Sequence, residues 1–176
     1  MLGTFGQRAV RSGSILQACR ERSGTSLIHE MTEGTFQTLE IDVPAEVLYD
    51  TVADIAGYPE WATGVKEVEV LETDDAGNVI RARFVLEGFV KEIEYVLRYT
   101  HDRPNSLSWS AEEGDDVRML EGSYSFNEAD GGTEVVYALT VEPNFTIPGF
   151  IRRQAERQII TTALKGLRKR VTETSV

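Results

Sequence analysis

The sequence predicts an α+β fold in which a curved antiparallel sheet wraps one long C-terminal helix. Three observations predict it: a long amphipathic run over 147–171, six β-like runs with short connections before it, and a strand followed by two helical segments at the front. In the C-terminal run, Ile151, Ala155, Ile159, Ala163, Leu167 and Val171 recur at four-residue steps. Phe150, Ile160 and Leu164 widen that stripe, and Arg152, Arg153, Arg157, Lys165, Arg168 and Lys169 mark the opposite face. Pro148 suits a first helical turn, where its missing N–H is not needed. A helix of this kind is stable only on a large apolar surface, so the sheet must supply one. Any cavity between the two is the expected seat of function.

Residues 1–34 stand apart from the rest. The first 30 carry four Arg, four Ser and four Gly with weak periodicity. They read as a disordered leader or as an upstream start ahead of a natural one at Met31, with an organelle transit peptide as the alternative. The domain proper is expected over 35–173.

That domain opens with a strand over 36–43, where Leu39, Ile41 and Val43 alternate with Thr38, Glu40 and Asp42. A helix over 44–55 follows. Pro44 sits in its first turn, Glu46 at its positive end, and Val47, Leu48, Thr51, Val52 and Ile55 form one face. Gly57 ends it, a short helical turn begins at Tyr58-Pro59-Glu60-Trp61, and Gly64 stops that turn. Strands are then predicted over 65–72, 78–86, 90–100, 106–112, 117–127 and 133–142. Turn-like separators such as Asp74-Asp75-Ala76-Gly77 and Asp130-Gly131-Gly132 join them into an antiparallel meander. Ile80, Ala82, Phe84 and Leu86 oppose Arg81 and Arg83, and Val135, Tyr137, Leu139 and Val141 oppose Glu134 and Thr140. One sheet face is therefore wet and the other covered. Two strands leave their faces open. In one, both Ile93/Tyr95/Leu97/Tyr99 and Val90/Val96 are apolar; in the other, Leu120/Tyr124/Phe126 opposes Met119/Ser123.

With 176 residues and 41% hydrophobic content, one domain with a single sizeable core is expected. The single cysteine, Cys19, excludes an intramolecular disulfide and suits a reducing, cytoplasmic setting. No run of 18 apolar residues is present, so no transmembrane helix is expected. The net charge of −11 argues against a general nucleic-acid binder. Residues 31–147 hold 25 acidic and 7 basic side chains, whereas residues 148–176 hold 7 basic and 2 acidic. The basic helix face reads as solvated, with contact to an anionic membrane surface as the sharper possibility.

The order strand, two helices, six strands, long helix resembles the START-like, helix-grip (Bet v 1-like, SRPBCC) superfamily over about residues 35–173. The stretch VPAEVLYDTVADIAGYPEWATGVKEVEVLE, residues 43–72, is similar to the opening of its polyketide cyclase/dehydrase and coenzyme Q-binding subgroups. Leu107-Ser-Trp-Ser110, Leu120-Glu-Gly-Ser-Tyr-Ser-Phe126 and Gly132-Thr-Glu-Val-Val-Tyr137 match its later strands. Trp61 departs from the Phe common at this turn in the quinone binders. The resemblance implies a deep cavity between sheet and long helix. By alternation Phe84, Tyr95, Leu97, Tyr99, Trp109, Tyr124 and Tyr137 are candidates for its lining, with Ile159 and Ala163 on the helix and Trp61 and Phe145 at the mouth. Such a wall suits a lipid, an isoprenoid quinone or a folded polyketide, and buried Tyr and Trp want partners for their polar atoms.

Catalytic patterns are sparse. His29 and His101 are too far apart in the chain to pair as metal ligands by local spacing, so neither a metal nor a cofactor is expected. There is no Gly-x-Ser-x-Gly elbow, phosphate loop or dinucleotide fingerprint. His101, ahead of Asp102-Arg103-Pro104, reads as a surface-loop residue, and Asp74, Glu112 and Glu113 read as solvated turn charges. The aromatase/cyclase resemblance implies work by Arg, Tyr and Ser groups, for which Arg83, Arg98, Tyr95 and Ser123 are the candidates; alternation turns both arginines outward. The leading expectation is a carrier of an apolar small molecule. A cyclase or dehydrase is the alternative, and a ribosome-associated interaction module is the third reading.

Overall fold

The structure, a computed structural model, describes residues 34–87, 92–112, 114–144 and 146–174. The leader with Cys19 and His29, and also Val90, Glu113 and Phe145, lie outside the described residues. From its start the described chain forms β1 (Thr35–Ile41), α1 (Ala45–Ala53), a 3-10 turn (Ile55–Gly57) and α2 (Tyr58–Trp61). There follow β2 (Val65–Thr73), β3 (Val79–Leu86), β4 (Ile93–Asp102), β5 (Ser106–Ala111), β6 (Val117–Ala129), β7 (Gly132–Pro143) and α3 (Gly149–Thr174). The strands make one antiparallel sheet in the order β1-β7-β6-β5-β4-β3-β2. The segment containing α1 and α2 thus carries the chain from one sheet edge to the other. This is the predicted helix-grip architecture. Among the described residues, no helix is long and apolar enough to cross a membrane.

Local chemistry sets the boundaries. The Pro44 carbonyl accepts the Val47 and Leu48 N–H groups and starts α1, as its ring geometry permits. The Asp74 carboxylate accepts the Ala76 and Asn78 N–H groups and closes the β2–β3 turn. Gly131, at φ +91°, makes the β6–β7 hairpin turn in a backbone region that only glycine enters without steric cost.

Cross-strand register settles both open face assignments. Tyr95 lies opposite Phe84, Tyr99 opposite Trp109, and Trp109 opposite Gly122. Tyr124 lies opposite Leu107 on one side and Tyr137 on the other, and Tyr137 opposite Gln37. Residues directly opposite share a face, so these rings stand on the face that carries Thr35 and Gln37. That face meets α3: Thr35 Oγ1 donates to Glu156 Oε2 at 2.6 Å, and Gln37 bonds the Arg157 carbonyl and the Thr161 hydroxyl. The outer face carries Arg83 among Glu67, Glu69 and Glu94, and Arg81 and Arg98 on the shared carboxylate of Glu112.

Three expectations need correction. The buried stripe of α3 is Glu156, Ile160, Leu164, Leu167 and Val171, whereas Phe150, Ile151, Ala155 and Ile159 are exposed. The helix is rotated from the four-residue series because Glu156 finds acceptor roles inside and so occupies a core-facing position. His101 is no loop residue. It lies in β4, where its Nε2–H donates to the Val79 carbonyl at 2.8 Å and its Nδ1 accepts the Tyr49 hydroxyl at 2.8 Å. Glu112, likewise, is a bound charge rather than a solvated one.

Candidate functional site

The concave face of the sheet carries a belt of aromatic rings. Phe84 and Tyr95 stack with centroids 5.8 Å apart, and Tyr124 and Tyr137 stack at 4.4 Å. Trp109 leans on both Tyr124 and Tyr137 at 5.5 Å and on Tyr99 at 6.4 Å. Leu97, buried between Tyr95 and Tyr99 on the same strand, fills the gap. Gly122 is part of this geometry. A β-carbon there would lie 2.6 Å from Trp109 Cε2, so the indole lies flat on the strand only because no side chain stands beneath it.

The α-helical side closes over the belt. Tyr58 meets Trp61 at 4.9 Å and Phe84 at 6.0 Å, edge to face, and donates its hydroxyl to the Val52 carbonyl. A β-carbon at Gly166 of α3 would lie 3.1 Å from the Trp61 carbonyl, so α2 and α3 meet closely there. Ala163 packs half-buried against the core. The structure therefore gathers Phe84, Tyr95, Leu97, Tyr99, Trp109, Tyr124 and Tyr137 on one wall, with Trp61 and Ala163 on the elements that cover it. Ile159 does not join them, being 46% exposed, and Phe145 is outside the described residues. Tyr58 was missed by sequence reasoning, although its Tyr-Pro turn was in view: it sits on a short helix where strand alternation gives no guide.

The polar atoms of the wall have an unusual status. Among the described residues, the hydroxyls of Tyr95, Tyr99, Tyr124 and Tyr137 and the indole N–H of Trp109 have no hydrogen-bond partner, yet none of these atoms is sealed from water. Tyr99, Tyr124 and Tyr137 are at most 7% exposed. Burial pushes the phenols of Tyr58, Tyr95, Tyr99, Tyr124 and Tyr137 upward in pKa, so all stay neutral and able to donate at physiological pH. Tyr95 also lines an open depression of about 470 Å³ with Glu94, Val96, Glu112 and Asp116.

The cyclase candidates are not assembled. Arg83 and Arg98 face outward into ion pairs, and Ser123 sits on the outer face between Ser108 and Ala138; Tyr95 alone faces in. Among the described residues, no three metal-ligating side chains come together.

No curated protein matches the chain. Among solved structures, a START superfamily protein from Mycobacterium smegmatis superposes with a TM-score of 0.75 at 20% identity, over 80% of this chain and 98% of that one. A protein from Thermus thermophilus follows with a TM-score of 0.69 at 26% identity, over 82% and 100%. The Zhui aromatase/cyclase from Streptomyces sp. R1128 superposes with a TM-score of 0.57 at 16% identity, over 77% and 86%. The family described as polyketide cyclase / dehydrase and lipid transport matches residues 41–168. With the helix-grip architecture in place and the match spanning most of the domain, the chain belongs to that family.

Proposed function

We propose that the chain binds and carries an apolar small molecule that also bears hydrogen-bonding oxygens, held between the concave face of the sheet and α3. The observation that carries this reading is the set of five partnerless polar atoms on an otherwise aromatic and aliphatic wall. A buried hydroxyl without a partner costs about 1–3 kcal/mol. Water meets that demand in the empty protein, and ligand oxygens meet it in the filled one. A plain hydrocarbon chain would strand these groups. An isoprenoid quinone or a polyketide-like molecule supplies acceptors at spaced positions as well as apolar bulk. A carrier is favoured over a cyclase because the inward polar groups are neutral hydroxyls, and the one imidazole among the described residues, His101, has both nitrogens engaged.

The test compares wild type with Tyr124→Phe, Tyr137→Phe and the double variant for uptake of a short-chain ubiquinone, with oleyl alcohol as the reference. Each hydroxyl lost should weaken quinone binding about fivefold, in line with one neutral hydrogen bond of about 1 kcal/mol, and leave oleyl alcohol unaffected. Equal quinone affinity in wild type and double variant would overturn the assignment of these hydroxyls to the ligand.

A further inference from the structure

We infer that the head of α3 holds a second, separate site, a subsite for a carboxylate or phosphate group between the guanidinium groups of Arg152 and Arg118. It occupies a depression of about 340 Å³ bordered by these two arginines, Glu142, Asn144 and Thr146. Arg152 stands on α3 one turn before Glu156, and its side chain is 29% exposed. Its Nε is the one side-chain polar atom among the described residues that is both sealed from water and without a hydrogen-bond partner. Leaving a buried charged donor unpaired is more costly than leaving a neutral one.

The surrounding carboxylates do not meet this demand. Glu156 has one oxygen on the Thr35 hydroxyl and the other on the Val141 N–H. Glu142 lies between the two arginines in ion-pair range of both but beyond hydrogen-bond distance, 3.8 Å from Arg152 Nη1 and 3.9 Å from Arg118 Nε. Hydrogen bonds of this type run at about 2.7–3.2 Å. Two guanidinium forks therefore share one carboxylate as ion pairs, and among the described residues neither donates a hydrogen bond, in a chain whose residues 31–147 are strongly acidic. A planar fork matches the paired oxygens of a carboxylate or phosphate, which is the chemistry that recognises such groups. The positive end of the α3 dipole, in the adjoining first turn, adds in the same direction.

The anionic group can belong to an apolar ligand or to a free ion, and the experiment separates these. Thermal shift and titration calorimetry are run with inorganic phosphate, with oleate, and with oleyl alcohol, which has the same chain and no charge. Wild type is compared with Arg152→Met and with Arg118→Met, the latter at a side chain 76% exposed and so safe for the fold. The expected result is at least a fivefold loss of phosphate or oleate affinity in either variant. Oleyl alcohol binding should stay unchanged, and without an anion Arg152→Met should be no less stable than wild type. Loss confined to oleate identifies a headgroup subsite, and loss seen with phosphate identifies a free-ion site. Equal phosphate and oleate binding by wild type and both variants would overturn the subsite. Failure of oleyl alcohol to bind any of the three proteins would instead count against the interior cavity.

Discussion

The Thr35 hydroxyl donates to the Glu156 carboxylate at 2.6 Å and ties the first strand of the sheet to the first third of the long helix across 121 residues of sequence. The other carboxylate oxygen accepts the Val141 N–H at 3.1 Å, so one side chain fastens α3 to both β1 and β7. Glu156 is 1% exposed. Its replacement by Ala leaves a half-buried main-chain donor and a half-buried hydroxyl unpaired. Glu156→Ala is expected to lose about 2–6 kcal/mol, two such penalties, whereas Glu156→Gln keeps an acceptor for Val141 and should lose about half of that. Urea denaturation of the two variants checks the ratio.

Ala163 is the small residue through which α3 faces the covered wall. Ala163→Trp should remove ligand uptake by filling space, while the protein stays folded, because a larger apolar side chain there takes interior room before it strains the backbone. Ile159→Trp, on the exposed side of the same helix, should leave uptake unchanged. Fluorescent apolar probe titration, with circular dichroism as the check on folding, reads both.

Gly122 sets the position of Trp109. Gly122→Ala forces the indole off the strand and should cost about 1–3 kcal/mol as an overpacked site. It should also shift Trp109 emission. Trp61 contributes to the same spectrum, so the shift is measured in a Trp61→Phe background.

Glu112 accepts both Arg81 Nε and Nη2, and these hydrogen bonds hold its carboxyl below the usual carboxylate range. A folded-state pKa lowered in this way adds stability above the unfolded pKa of about 4.3, and that stability is lost as pH falls through the lower folded value. Wild type should therefore be more stable than Glu112→Gln at pH 7, and the gap should close as the pH is lowered below the unfolded value. Denaturation midpoints of both proteins across that range test the sign. A gap that widens in acid would refute it.

The sheet was legible in the sequence because period-two alternation and turn residues mark its strands, but alternation left the faces of β4 and β6 open, and only register with Phe84 and Trp109 fixes Tyr95, Leu97 and Tyr99 on the covered face. The rotation of α3 was not legible. A four-residue series of apolar side chains is a good guide only when every core-facing position is apolar, and Glu156 hid the true stripe by being satisfied from β1 and β7, partners remote in sequence. His101 misled for a related reason. Its neighbours Asp102, Arg103 and Pro104 are turn residues, yet β4 extends through Asp102, and contacts from α1 and β3 hold the ring. That the tyrosine hydroxyls lack partners is a property of three-dimensional packing, which no residue spacing records.

The central claim is tested most directly by native mass spectrometry of freshly purified protein after incubation with a short-chain ubiquinone and with oleate, followed by organic extraction. The account predicts a retained molecule with an apolar body and hydrogen-bonding oxygens, one per chain, absent from Ala163→Trp. A folded protein that shows only the mass of the bare chain under all of these conditions would contradict it.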